Sequence, residues 1–364
     1  MKRLLQIIKN LLIVTVPTIL IILLILELIF RIGVTESDLP VGFFDENDKM
    51  FLFYDKGGKG MTTGTVGEAK VVWKINNMGW NYPVDYYQKE NEKMIAVIGD
   101  SFIEALLINV DKNYPYLLHE KLNPDYKVYA FGKSGAPMSQ YLHIARYVNK
   151  HFNPDILIVN IVHNDFDESI YELYPKKLQF MQLSISKDGD ISEILPKCDP
   201  RSSFENFRWW RRFFYRSAFF RYVSRKSISV GNRAFLRFYP TDFEANIRVD
   251  KIAKHKDRIF SAVNYIAERF RNENIDKRII FILDASRYAI YNDALDNSRV
   301  LWMHEMLKEI CKMHDIEFYD LNPVMLADYK KNRMLFNTEN DGHWNEYGHR
   351  FVAEFLYDVL QEDQ

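Results

Sequence analysis

Five residues in four short segments carry the groups that nucleophilic catalysis needs. Ser101 closes a Gly-Asp-Ser tripeptide, Gly132 and Asn164 lie in later segments, and Asp341 and His343 stand near the end of the chain. A serine hydroxyl becomes a nucleophile when a histidine takes its proton, and a carboxylate can hold that histidine in the required tautomer. Amide groups can then stabilise the oxyanion that forms. These residue types therefore predict acyl-transfer chemistry.

Each of these residues also has an ordinary structural explanation. Gly-Asp-Ser alone is a turn with a helix N-cap, Gly132 is a loop glycine, Asn164 can cap a helix, and His343 can be a solvated histidine. Taken together, they predict Ser101 as the nucleophile, His343 as the general base and Asp341 as the carboxylate that orients it. The predicted oxyanion hole consists of the Ser101 amide, the Gly132 amide and the Asn164 side-chain amide.

Short apolar runs alternate with amphipathic stretches from residue 94 onward, which predicts an α/β fold with a parallel sheet and helices on both faces. The pattern predicts strands at 94–98, 126–131, 155–162, 278–283 and 317–321, and helices at 114–122, 139–150, 249–271, 297–314 and 345–361. Each candidate segment follows one of the first three strands or precedes the last helix. Because ligands bind at the carboxyl ends of such strands, we expect the site there.

At these residues the chain resembles the SGNH (GDSL) hydrolases, whose marker residues are Ser, Gly, Asn and His. Ser101, Gly132, Asn164 and His343 match them in order. The resemblance covers roughly residues 93 to 360, and it implies a flavodoxin-like, three-layer fold and serine ester hydrolysis. The segment 75–80, Ile-Asn-Asn-Met-Gly-Trp, is similar to a lead-in of the membrane-anchored members.

Three positions depart from the family pattern. Ala130 stands where the second block often has Asn, and Val162 stands where the third block commonly has Gly. The last block is usually Asp-x-x-His, but here Asn340 occupies the first position and the carboxylate is Asp341. Asp-x-His resembles the form in the branch that acts in polysaccharide acetylation. A Ser-His dyad oriented by a backbone carbonyl is the alternative to a triad.

The N-terminal run 11–30 is apolar and long enough to cross a bilayer as a helix. Lys2, Arg3 and Lys9 precede it, so the positive-inside rule predicts a cytoplasmic N-terminus and an extracytoplasmic body, in the periplasm or at the cell surface. The competing interpretation is a cleaved signal peptide. The run exceeds a usual signal-peptide core and no small-x-small site follows before Arg31, which favours an uncleaved signal anchor.

Composition narrows the classes further. The 364 residues are 48% hydrophobic with a formal net charge of −1, so no overall positive charge attracts nucleic acid. Cys198 and Cys311 are the two cysteines, and neither has the spacing of a zinc site, so we expect no metal and no cofactor. Whether they form a disulfide is left open. We expect an anchor at 1–32, an irregular lead-in at 33–92 with at most one hairpin, and a hydrolase-like domain at 93–364.

An insertion at about 200–245 interleaves arginines with aromatic residues, as in Phe207-Arg208-Trp209-Trp210-Arg211-Arg212. Such a segment suits a helical cap over the core, a membrane surface or, least well for a tethered external body, nucleic acid.

The combined expectation is a membrane-anchored extracytoplasmic serine esterase that removes or transfers O-acetyl groups on a glycan. The acyl group and its bearer follow from the resemblance alone. The alternatives are a lipid esterase or lysophospholipase, and a non-catalytic component that binds or assembles glycan.

Overall fold

The computed structural model describes residues 6, 9–34, 40–53, 56–63, 70–88, 92–198, 209–223, 243–245, 247–337 and 342–362. Its strands are β1 Gly42–Asp45, β2 Met50–Phe53, β3 Lys59–Thr63, β4 Lys70–Lys74, β5 Lys93–Gly99, β6 Tyr126–Gly132, β7 Ile156–Ile161, β8 Gln182–Ile185, β9 Ile191–Ile194, β10 Phe243–Glu244, β11 Ile247–Arg248, β12 Arg278–Leu283 and β13 Glu317–Asp320. Its helices are α1 Val16–Ile29, α2 Ser101–Glu104, α3 Tyr114–Leu122, α4 Met138–His151, α5 Asn164–Glu168, α6 Trp209–Arg216, α7 Val249–Ala253, α8 Lys256–Glu273, α9 Arg287–Tyr291, α10 Leu301–Met313, α11 Leu321–Asn332 and α12 Glu346–Gln361.

Five parallel strands form the central sheet in the order β13-β12-β7-β5-β6. Counted along the chain this order is 2-1-3-4-5, which is the flavodoxin-like arrangement. The residues of β7 are buried throughout, and those of β5 and β12 are buried after their first residue. Strands that are apolar on both sides need helices on both faces of the sheet. The predicted α/β fold class is therefore confirmed.

The helices form two layers. α3 packs against α12, whereas α8 packs against both α4 and α10. The chain turns back in the sheet after β6, and right-handed crossovers then place α3 on one face and α4, α8 and α10 on the other. The carboxyl ends of β5, β6, β7 and β12 meet at one edge of this sandwich.

The lead-in forms two antiparallel hairpins, β1–β2 and β3–β4, rather than at most one. It then packs on β6, the strand at one end of the sheet. The Trp80 ring lies 5.3 Å from the Phe131 ring, between centroids. The hydroxyls of Tyr82 and Tyr86 donate to the carbonyls of Val128 and Ala130, each at 2.6 Å.

Two further features differ from the sequence-based expectation. The single helix expected at 249–271 is interrupted at Lys254 and His255, which separate α7 from α8. The β8–β9 hairpin and α11 are additional elements. The sequence pattern does not predict α11, because this helix has no apolar stripe: its buried residues are Leu321, Asn322 and Met325. Cys311 is buried and forms no disulfide with Cys198.

The N-terminal apolar run is helical. Within the described part of the chain, Leu11–Ile32 is one helix of 22 residues that is apolar and long enough to cross a membrane, with a mean hydropathy of 2.9. None of its most apolar window is buried against the body. A signal sequence near the N-terminus can also be helical and apolar enough to meet these criteria.

Candidate active site

Ser101 lies where β5 passes into α2. Asp100 caps this helix, because its side chain accepts a hydrogen bond from the Phe102 amide at 2.9 Å. α2 is a single turn, and it ends at Ala105 in the left-handed conformation. The Ser101 hydroxyl is thereby held, half-buried, at the carboxyl edge of the sheet.

His343 and Ser101 are brought together although 242 positions separate them in the sequence. The Nε2 atom of His343 lies 2.7 Å from the Ser101 Oγ atom. The Ser101 hydroxyl also lies 3.2 Å from the Asp100 Oδ2 atom. A hydroxyl has one proton, so it donates to one of these acceptors at a time. Donation to Nε2 is the geometry in which a histidine can take the serine proton.

Arg287 and Asp284, just after β12, contact the residue before and the residue after His343: Arg287 binds backbone, and Asp284 binds a side chain. The Arg287 Nη2 atom donates to the Gly342 carbonyl at 2.6 Å, and the Trp344 indole donates to Asp284 Oδ1 at 2.9 Å. Arg287 and Asp284 are joined by a buried ion pair at 2.9 Å. We call this ion pair of Asp284 and Arg287 the brace, because it contacts the residues on both sides of His343.

The ring of Phe102 packs against His343, Trp344 and the brace. Phe102, the residue after Ser101, has its ring centroid 4.9 Å from that of His343 and 5.0 Å from that of Trp344. The Arg287 guanidinium lies 5.4 Å from the same ring. These contacts couple the position of the histidine to the helix that carries the serine.

Gly132 stands at the end of β6, in register with Gly99 at the end of β5. A Cβ atom at Gly132 would lie 2.1 Å from the Glu104 amide nitrogen and 2.4 Å from the Ile103 carbonyl carbon. The backbone of β6 therefore touches the backbone of α2 at this point, and a side chain cannot be accommodated without moving it.

Asn164 begins α5, directly after β7, the other neighbour of β5 in the sheet. Its Nδ2 atom donates to Glu168 Oε2 at 3.2 Å, and Glu168 also binds the Lys177 ammonium at 2.5 Å. An amide NH₂ has two protons, so one remains for a second acceptor. Asp341 lies outside the described residues, so its orienting role stays a prediction.

A buried ion pair lies behind Gly132. The Lys133 Nζ atom is 3.1 Å from Glu104 Oε1 and 3.3 Å from the centroid of the Phe53 ring in β2. Glu104 also accepts a hydrogen bond from the Ser134 amide at 3.1 Å. Burial lowers the pKa of Lys133, and Glu104 opposes that shift. This pair joins the end of α2 to the loop after β6 and to the lead-in.

Two buried carboxyl groups near Ser101, those of Asp100 and Asp165, have raised pKa values. Burial raises the pKa of Asp100 to about 6, against the opposing effects of the Phe102 amide and His343. Burial also raises the pKa of Asp165 well above its usual range, and the nearby Asp100 adds to the rise. Asp165 accepts a 2.6 Å hydrogen bond from the Tyr141 hydroxyl. Their mutual repulsion disfavours two negative charges at this edge of the sheet.

Asp284, Arg287, Glu104 and Lys133 were not among the residues singled out from the sequence. One signal was available for Asp284, because it follows a strongly apolar strand at the same edge of the sheet as Ser101. Glu104 and Lys133 lie next to candidate segments, but their pairing depends on how closely α2 approaches β6.

No protein-family model matches the chain, and no curated protein sequence matches it. Solved structures do resemble it. A lipolytic G-D-S-L family member from Veillonella parvula is 12% identical over 74% of this chain and 98% of its own, with a TM-score of 0.40. The lipase/acylhydrolase from Enterococcus faecalis is 12% identical over 74% and 96%, with a TM-score of 0.40.

A carbohydrate acetylesterase family member from Sinorhizobium meliloti is 11% identical over 74% of this chain and 98% of its own, with a TM-score of 0.33. A lipolytic G-D-S-L family member, a lipase/acylhydrolase and a carbohydrate acetylesterase family member are thus among the structural neighbours. The function of this chain has to follow from the geometry of its own residues.

Proposed function

We propose that the chain is a membrane-anchored, extracytoplasmic serine esterase that removes or transfers O-acetyl groups on a glycan. The observation that carries the proposal is the 2.7 Å contact between His343 Nε2 and Ser101 Oγ. It lies at the carboxyl edge of a parallel sheet, where such folds bind their ligands. A serine that sits at a helix N-terminus and contacts an imidazole is equipped for nucleophilic attack.

In the proposed mechanism, His343 takes the Ser101 proton as Oγ attacks the ester carbonyl carbon. The carbonyl oxygen becomes an oxyanion, which the Ser101 and Gly132 amides and the Asn164 side chain stabilise. Collapse breaks the bond to the alcohol, which leaves with the proton from His343, and an acyl-serine remains. Water, or an acceptor hydroxyl in a transferase, then repeats these steps and restores Ser101.

The glycan and the acetyl group rest on the resemblance of the Asp341-x-His343 block to the branch that acts in polysaccharide acetylation. Asp341 is the proposed orienting carboxylate. The Arg287–Asp284 pair supports the role of His343 as the base, because it fixes the Gly342 carbonyl and the Trp344 indole on either side of that histidine.

The anchor is the helix Leu11–Ile32. Lys2, Arg3 and Lys9 precede it, so the proposed orientation leaves the N-terminus in the cytoplasm and the esterase body outside.

The test uses the full-length protein in detergent, a fluorophosphonate probe and 4-nitrophenyl acetate. Wild type is expected to be labelled at Ser101, and Ser101→Ala to lose both labelling and turnover. His343→Ala is expected to lower turnover at least about a thousandfold. Ser261→Ala is the matched control, because that hydroxyl makes an exposed hydrogen bond to the Asp257 carbonyl within α8. An unlabelled, inactive wild-type protein would refute an esterase.

Acyl chain length separates the alternatives. A strong preference for octanoate or palmitate esters over acetate would replace the proposed substrate with a lipid ester. Glycan binding that persists in Ser101→Ala and His343→Ala, with no turnover by wild type, would identify a non-catalytic binding component instead.

A further inference from the structure

Glu27, within the apolar helix, is bound by a segment of the body almost 200 residues away. The Ser217 hydroxyl donates to its carboxylate at 2.6 Å, and the amides of Ala218 and Phe219 donate at 3.0 and 3.2 Å. Residues 218–223 are helical. The first amides of a helix lack partners within it, so Glu27 caps this helix from another part of the chain.

Arg31 and Phe30 extend this contact toward the outer end of the apolar helix. Arg31 binds Glu27 at 2.6 Å and donates to the Arg216 carbonyl at 2.9 Å. The Phe30 ring lies 5.4 Å from the Phe219 ring and 4.8 Å from the Tyr222 ring. The apolar helix and the insertion therefore form one packed unit. Removal of the apolar helix as a cleaved leader would leave the helix at 218–223 without its cap.

The position of Glu27 sets a depth for this unit. A helix of 22 residues is about 33 Å long at 1.5 Å per residue, close to the thickness of the hydrocarbon core. Glu27 is five positions before Ile32, so it lies about 7.5 Å inside that end of the helix. Carboxylates at such a depth need partners, and Ser217, Ala218 and Phe219 provide them. Ser217, Ala218 and Phe219 must therefore lie at the same depth in the membrane as Glu27.

The preceding helix, α6, exposes large aromatic side chains. Trp209 is 82% exposed, Phe213 64%, Trp210 45% and Phe214 41%. At 3.6 residues per turn these four positions span an arc of about 140°, and the arginine positions of the same helix fall outside it. A helix that gathers tryptophan and phenylalanine on one face, with basic residues outside that face, is typical of membrane interfaces.

We propose that α6 lies in the outer interface of the membrane, with its aromatic face against the lipid acyl chains, and that Glu27 fastens it there. The proposal rests on the membrane anchoring proposed above. Ring contacts connect the aromatic face to the apolar helix, since Phe214 contacts Phe220, Phe220 contacts Phe219, and Phe219 contacts Phe30. Lipid is the occupant that the structure favours, because the apolar surface of that helix is itself exposed. An aromatic patch of this kind is rare on a soluble monomer that binds nothing.

The test places the full-length protein in nanodiscs of phosphatidylcholine and phosphatidylglycerol, with and without brominated acyl chains that quench tryptophan. The chain has six tryptophans, two of them on α6, so bromination is expected to lower emission by up to about one third. Trp209→Phe/Trp210→Phe should abolish most of that loss. Trp302→Phe, on α10, is the matched control and should preserve it. Equal quenching in the double variant and wild type would overturn the proposal.

Glu27→Leu tests separately whether Glu27 holds α6 at the interface, because leucine suits the membrane but cannot cap the helix at 218–223. We expect bromolipid quenching to fall at least twofold, while resistance to carbonate extraction is unchanged. Unchanged quenching would refute the role of Glu27.

Carbonate extraction of wild type distinguishes the two proposals. A chain released by carbonate would contradict the membrane anchor itself. A chain that stays in the membrane, shows no bromolipid quenching and elutes as a dimer would place a second copy on the aromatic face, and would overturn the interfacial helix alone.

Discussion

Gly132→Ala should separate the position of Ser101 from the presence of the oxyanion amide. The new methyl group would lie 2.1 Å from the Glu104 amide nitrogen, whereas real Cβ atoms are essentially never found under 3.0 Å from another atom. Relief therefore requires a movement of about 0.9 Å. The atoms in the way belong to the backbone and Cβ of Ile103 and the backbone of Glu104, so no flexible side chain can move aside instead.

That movement falls on α2, which is one turn long and carries Ser101 at its start. The 2.7 Å contact of Ser101 with His343 would be lengthened or misaligned by a comparable distance. A misplacement of about 1 Å can cost about a hundredfold in rate, so we expect kcat to fall on that order. Overpacking should also lower the free energy of unfolding by about 1–3 kcal/mol.

The assay combines turnover of 4-nitrophenyl acetate, the rate of fluorophosphonate labelling and thermal unfolding. Gly189→Ala is the control, because Gly189 has a φ of +90° with open space around its Cβ position in the β8–β9 turn. It should lose stability but keep its activity. A folded Gly132→Ala protein with activity within about threefold of wild type would show that the close approach of β6 to α2 does not position Ser101.

Three further predictions concern the surroundings of the site. Asp284→Asn removes the charge that pairs with Arg287, so kcat should fall on the order of tenfold with little change in KM, as steady-state kinetics would measure. Lys133→Met leaves the carboxylate of Glu104 buried, so urea denaturation should report a loss of about 3–5 kcal/mol that Glu104→Gln partly restores. For Asp100 the raised pKa of about 6 means that the native state holds the proton more tightly than the unfolded chain. The free energy of unfolding should therefore decrease as pH rises from about 4 to about 6, and Asp100→Asn should flatten that part of the profile, measured by denaturation at each pH.

The sheet was predictable because its strands are buried on both faces. Runs of β-branched and aliphatic residues located all five strands to within about two residues, and their alternation with helices implied the parallel order. The placement of Ser101, Gly132 and Asn164 was predictable for the same reason, since the carboxyl ends of neighbouring strands share one edge. The approach of His343, which precedes the last helix, was expected from the resemblance to the SGNH hydrolases.

Other features depend on tertiary contacts or on signals that were overlooked. The brace of Asp284 and Arg287 acts on the Gly342 carbonyl and the Trp344 indole, and no local pattern announces such a contact. The cap that Glu27 supplies to residues 217–219 joins segments from opposite parts of the chain. The β8–β9 hairpin was readable, because Asp188-Gly189 is a common turn dipeptide between alternating residues.

The tyrosines of the lead-in have a consequence for how the chain can be shortened and how it folds. Among the strands that the structure describes, none pairs with the outer side of β6, where the Tyr86 hydroxyl satisfies both the carbonyl and, at 2.9 Å, the amide of Ala130. A soluble form that began at residue 93 would present this strand to other copies, and we expect it to aggregate. One that began before β1 would keep the edge covered. The lead-in precedes β6 in the chain, so it is synthesised first. It can cover the edge of the sheet only after β6 has been synthesised.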